Sequence, residues 1–85
     1  DGFVITSLSP NPATSVAKLS ISSARMLPVS FVIYNAHGAI VKRWSSVIAE
    51  GNAVVDVEVA RLPAGVYTIM AVSGTSKASI RLVKQ

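Results

Sequence analysis

Pro28-Val29-Ser30-Phe31-Val32-Ile33-Tyr34-Asn35-Ala36-His37-Gly38-Ala39-Ile40-Val41-Lys42-Arg43-Trp44-Ser45 decides the fold class of this chain. Successive side chains of an extended strand point to opposite faces. Pro28 to Tyr34 therefore sets Val29, Phe31 and Ile33 on one face and Val32 and Tyr34 on the other. Apolar residues on both faces predict a central strand. Asn35-Ala36-His37-Gly38 is the strongest hairpin signal in the chain, because asparagine and glycine tolerate the positive φ angles of tight hairpin turns. Ala39 to Ser45 returns as the next strand.

The same grammar extends outward. Val16 to Ser22 alternates, with Ala17, Leu19 and Ile21 on one face and Lys18, Ser20 and Ser22 on the other, and Ser23-Ala24-Arg25-Met26 connects it to the hairpin. Phe3 to Ser9 is a further strand, stopped by Pro10-Asn11-Pro12, whose two prolines lack amide donors and do not fit a central ladder. Beyond the hairpin, Glu50-Gly51-Asn52 is a turn, and Val54 to Val59 places Val55, Val57 and Val59 opposite Asp56 and Glu58. Leu62-Pro63-Ala64-Gly65 forms the next corner, and Val66 to Val72 and Ala78 to Lys84 make a terminal hairpin around Gly74. Short strands separated by regular turn signals predict an all-β fold, a seven-stranded antiparallel immunoglobulin-like β-sandwich. Residues 1–85 read as one domain, with slack at Asp1-Gly2. The predicted core is Val4, Leu19, Ile21, Phe31, Ile33, Val55, Val57, Tyr67, Ile69, Ile80 and Leu82.

Composition agrees. Ordering 85 residues costs on the order of 100 kcal/mol of conformational entropy, so burial has to be efficient, and 51% hydrophobic residues permit it. Val, Ile, Ser, Thr and Ala dominate, whereas Leu, Glu and Lys are too sparse for long amphipathic helices. Without cysteine there is no disulfide framework, thiolate metal site or Cys nucleophile. No apolar run approaches the roughly 20 residues of a membrane span. Asp1-Gly2-Phe3-Val4 lacks the basic start and small-residue end of a signal peptide, so if the domain is secreted its export signal is expected elsewhere, at the start of a longer precursor. The net charge of +4 comes from scattered residues, and only Lys77, Arg81 and Lys84 gather in one segment. Nucleic-acid binding calls for a basic stripe with interleaved aromatics. The charges read instead as solvated strand faces and edge-protecting lysines.

Catalysis requires converging polar groups, and the chain offers few. His37, the single histidine, lies in the hairpin turn, where turn geometry and exposure account for it. No nucleophile elbow surrounds any serine. Asp56 and Glu58 share a strand face, but two carboxylates fall short of the six to eight oxygens that calcium takes. No enzyme, metal or cofactor is expected. Trp44, Tyr34 and Tyr67 are the candidates for an aromatic sugar platform, with Tyr67 better placed in the core, its hydroxyl bonded to nearby backbone as in a tyrosine corner. Leu-Pro-Ala-Gly lacks the threonine and the membrane-spanning tail of a sortase signal.

Four segments in order carry a resemblance. Pro10-Asn11-Pro12-Ala13-Thr14, Val32-Ile33-Tyr34-Asn35-Ala36-His37-Gly38, Leu62-Pro63-Ala64-Gly65-Val66-Tyr67 and Arg81-Leu82-Val83-Lys84-Gln85 together resemble the C-terminal sorting domain of type IX secretion system cargo proteins, from about Ile5 to Gln85. That family usually has aspartate where this chain has Asn35, and asparagine can make the same turn bond. The resemblance implies a folded secretion signal at the end of a larger precursor. Its implied partners are the outer-membrane translocon, a shuttle barrel and a sortase-like processing protease. The implied route is transit through the periplasm to the outer membrane, the cell surface or the extracellular space.

The motif residues Pro10, Asn11, Pro12, Tyr34, Asn35, Gly38, Leu62, Pro63, Gly65 and Tyr67 read as mainly structural, with the prolines fixing corners and Gly65 placed where a side chain would clash. Lys77, Ile80, Arg81, Leu82, Val83, Lys84 and Gln85 read as the translocon-facing segment. That segment is expected to be an edge strand open to β-augmentation, and the absence of a polar tail is read as part of the signal. Such an edge also permits an edge-strand dimer of the isolated domain. Two other classes remain open: a carbohydrate-binding module around Trp44, and a structural immunoglobulin-like spacer.

Overall fold

The alternating runs form seven antiparallel strands: β1 (Phe3–Ser9), β2 (Val16–Ser23), β3 (Leu27–Tyr34), β4 (Ile40–Ile48), β5 (Gly51–Glu58), β6 (Gly65–Ser73) and β7 (Ser76–Lys84). A computed structural model describes them within residues 2–85. The expected slack at Asp1 lies outside the described residues, while Gly2 packs so closely on Ser76 that a Cβ would collide with its hydroxyl. One sheet has the order β1-β2-β5 and the other β4-β3-β6-β7. The two sheets enclose one core, an arrangement compatible with an immunoglobulin-like sandwich.

The fold is built from inward-facing rows. Ala17, Leu19, Ile21, Val29, Phe31, Ile33, Val57, Val59, Ile69, Ala71 and Leu82 are buried to 1% exposure or less. Each burial of a side chain of this kind contributes about 1.5–3 kcal/mol for the larger residues. β3 lies between β4 and β6, as its apolar faces predict. Its outer face, however, is covered by no third layer among the described residues, and Val32 and Tyr34 are only half-buried there.

The predicted core and one strand need correction. Val4 is 57% exposed, and the core takes Phe3 and Leu8 instead. The β1–β2 register shifts between Ile5 and Ser7, so Thr6 is an extra residue in the ladder and its hydroxyl donates to the Ser20 carbonyl at 3.2 Å. An extra residue of this kind inverts the alternation of everything beyond it. Phe3, Ile5 and Leu8 therefore share the inner side although strict alternation pairs Leu8 with Val4. Val55 and Ile80 are half-buried at the core margin rather than inside it. The other correction is the length of β4, which runs three residues past Ser45 and brings Ile48, 2% exposed, opposite Leu27.

The corners follow from their residues. Asn35 Oδ1 accepts from the His37 amide at 2.9 Å and from the Ala39 amide at 3.0 Å, so the turn bond expected of aspartate is made by asparagine. Of that turn only Gly38 has positive φ, at 83°; Asn35 and His37 adopt ordinary angles. Tyr67, 5% exposed, donates its hydroxyl to the Pro63 carbonyl at 2.5 Å, which ties the start of β6 to the corner before it. Leu62 packs half-buried against the core. A Cβ on Gly65 would meet nothing within 4 Å, so steric room is not why glycine stands there; its φ of 156° is.

Candidate functional site

β7 terminates the four-stranded sheet, paired on one side with β6 from Ser76 to Lys84. Backbone groups of alternate residues in an edge strand point laterally away from the sheet. Here those residues are the odd-numbered ones, because Arg81, Val83 and Gln85 make their bonds on that side.

The bonds come from the proline segment. Asn11 Nδ2 donates to the Arg81 carbonyl at 3.0 Å, and Asn11 Oδ1 accepts from the Val83 amide at 2.9 Å. The Ala13 amide donates to the Val83 carbonyl at 2.8 Å, and the Gln85 amide donates to the Ala13 carbonyl at 2.9 Å. Ala13 is fully buried and forms a parallel bridge with Lys84. Pro10 and Pro12 flank the asparagine, and both of their preceding peptide bonds are cis. The primary amide thus stands in for one peptide of a missing strand, offering a donor and an acceptor at the spacing a β-ladder requires. Pro10-Asn11-Pro12 is more than a corner: it clasps the far edge of the fold.

The clasp corrects the picture of an open terminal edge. The outer edge of β7 is occupied from Arg81 to Gln85 and lacks a strand partner among the described residues only around Lys77 and Ser79.

The side chains of the segment divide in two. Leu82 is 0% exposed and Ile80 is half-buried, so both serve the core. Lys77, Ser79 and Arg81 are exposed on the outer face of the sheet, Val83 and Lys84 are half-buried, and Gln85 is exposed. The Lys84 ammonium reaches the Gln85 carbonyl oxygen at 3.1 Å.

The remaining candidates do not converge. Trp44 faces inward, stacked on Phe31 with ring centroids 5.0 Å apart and an interplanar angle of 14°. The Lys42 ammonium sits 5.6 Å from its ring centroid and donates to the Glu58 carbonyl at 3.1 Å. Tyr34 is on the outer face and Tyr67 in the core, so the three rings form no common platform. His37 is exposed in the β3–β4 turn, whereas Asp56 lies on the other sheet and accepts from Lys18 at 2.8 Å. An open depression of about 470 Å³, lined by Ser15, Val16, Lys42, Glu58, Arg61 and Leu62 among others, lies between the start of β4 and the end of β5. Ser15, Lys42 and Glu58 share that rim, where the Lys42 ammonium is bonded to the Glu58 backbone carbonyl.

Sequence reasoning missed the clasp. Its signal was present, an amide side chain between two prolines, but its partner lies 70 residues away.

A family model described as a secretion system C-terminal sorting domain matches residues 7–85. A search of curated proteins gave no match.

Proposed function

The chain belongs to the family of secretion system C-terminal sorting domains and is a sorting signal for type IX secretion, and from that premise we propose that the segment Lys77 to Gln85, most of β7 and the residue after it, is the element the translocon reads. Proteins carrying such domains are exported to the cell surface or the extracellular space through the type IX machinery, and the family is one of signals rather than of enzymes. The domain acts by being bound, without a cofactor or catalytic step of its own. It forms the C-terminal domain of a larger precursor, which passes through the periplasm before meeting the outer-membrane translocon, a shuttle barrel and a sortase-like processing protease.

One observation supports β7 above the other strands. It presents Lys77 and Arg81 outward from a sheet edge whose backbone lacks a strand partner among the described residues around Lys77 and Ser79, so a partner strand can pair there while its carboxylates meet the two cations. Ile80 and Leu82 hold that strand in place from beneath.

Truncation is a poor test, because deleting Arg81 to Gln85 removes Leu82 from the core and every partner of the clasp. The test is a reporter fused to the domain carrying Lys77→Ala and Arg81→Ala, with surface exposure read by protease shaving. Loss of surface reporter with an unchanged melting temperature of the domain is the expected result. Wild-type export by the folded double variant overturns the assignment.

A further inference from the structure

The outer face of the four-stranded sheet has a composition that the fold does not require. Cross-strand register sets Arg43, Val32, Met70 and Ser79 in one row, with Ser45, Ser30, Val72 and Lys77 in the next. Tyr34, Thr68 and Arg81 form a third. Val32, Tyr34, Met70 and Val72 are half-buried and form a level apolar centre. Arg43 stands exposed on one side of it, and Lys77 and Arg81 on the other, roughly 14 Å apart across three strand spacings.

Among the described residues no acidic side chain is paired with these cations. Among the described residues the carboxylates are Glu50, in the β4–β5 turn, and Asp56 and Glu58, on β5 of the other sheet. The opposite outer face pairs its Lys18 with Asp56 at 2.8 Å and carries Glu58 besides. Charge is therefore segregated by sheet. Beside Arg43 the facing small residues Ser30 and Ser45 leave a shallow depression of about 340 Å³, lined also by Phe31, Val32 and Trp44.

We propose that this face docks an acidic protein surface, a partner strand or loop that lays apolar side chains over Val32 and Met70 and sets carboxylates against Arg43, Lys77 and Arg81. The proposal rests on the reading of the chain as a sorting signal only in placing the partner within the export machinery. The guanidinium of an arginine suits a carboxylate, which it binds through two parallel N–H bonds, and the depression gives one such side chain a seat between two serine hydroxyls. A lipid surface fits less well. Membrane-binding patches carry clusters of four to eight basic residues or protruding aromatic and leucine side chains, whereas this centre is level and its three cations stand apart.

Arg43 separates this proposal from the β7 reading, since it lies on β4 at the opposite edge of the sheet. Arg43→Glu in the reporter fusion is expected to lower surface export roughly tenfold with the domain's melting temperature unchanged. Lys18→Glu, with the same net charge change on the other face, is expected to export normally. Equal losses from both variants assign the effect to net charge and overturn the proposal. Normal export of Arg43→Glu beside failure of the Lys77 and Arg81 double variant leaves the β7 reading standing and removes this one; normal export of all variants removes both. The second measurement is chemical-shift mapping of the 85-residue chain. A synthetic peptide of alternating glutamate and valine is expected to perturb Val32, Met70 and Arg43. Perturbation by phosphatidylglycerol vesicles with no response to the peptide overturns the proposal in favour of a membrane surface.

Discussion

Replacing Asn11 by alanine removes two hydrogen bonds at once, the donor to the Arg81 carbonyl and the acceptor of the Val83 amide. A typical intramolecular hydrogen bond contributes about 0.5–1.5 kcal/mol net. Both bonds are exposed, so water replaces the lost partner and each falls toward the lower end, giving a combined loss of about 1–2 kcal/mol. For a domain of this size that lowers Tm by roughly 5–15 °C, readable by circular dichroism. Hydrogen exchange at the Val83 amide localises the effect: it accelerates in Asn11→Ala, and in Asn11→Asp it stays slow because a carboxylate oxygen still accepts, even though the bond to Arg81 is lost. The freed edge also pairs with other copies, so Asn11→Ala is expected to associate at lower concentration than the wild type. A Tm within a degree of wild type together with unchanged Val83 exchange refutes the clasp as a stabilising element.

Three further substitutions probe other parts of the fold. Tyr67→Phe keeps the buried ring and loses the bond to Pro63, costing about 1 kcal/mol, while Tyr67→Ala costs about 3–5 kcal/mol; equal effects in denaturant unfolding would place the whole contribution in the hydroxyl bond and refute the ring's part in the core. Phe3→Ala is expected to cost about 3–5 kcal/mol and Val4→Ala about 0.5 kcal/mol or less, an order that reverses if Thr6 is not the extra residue of β1. Gly38→Ala forces a Cβ into positive φ and is expected to cost about 1–2 kcal/mol in thermal unfolding without altering export.

Much of this protein is legible in local pattern. The hairpin at Asn35 to Gly38, the strand set and the tyrosine corner all depend on interactions spanning four residues or fewer, or on an alternation that each strand carries by itself. A side chain's face follows from counting by two, and a turn bond follows from an amide beside backbone donors. The four ordered motifs likewise lie open in the chain, and with them the family.

The tertiary structure decided what counting could not. An extra residue at Thr6 is invisible to a period of two, yet it exchanges Val4 for Phe3 in the core. Trp44 looked available for a ligand until the β3–β4 register set it against Phe31. Above all, Asn11 reads locally as a turn residue, and only closure of the sandwich carries it to Arg81 and Val83, 70 and 72 residues along the chain. Lateral hydrogen bonding of an edge depends on which segments meet there. That is set by the packing of two sheets on one core, a property that no stretch of sequence holds alone.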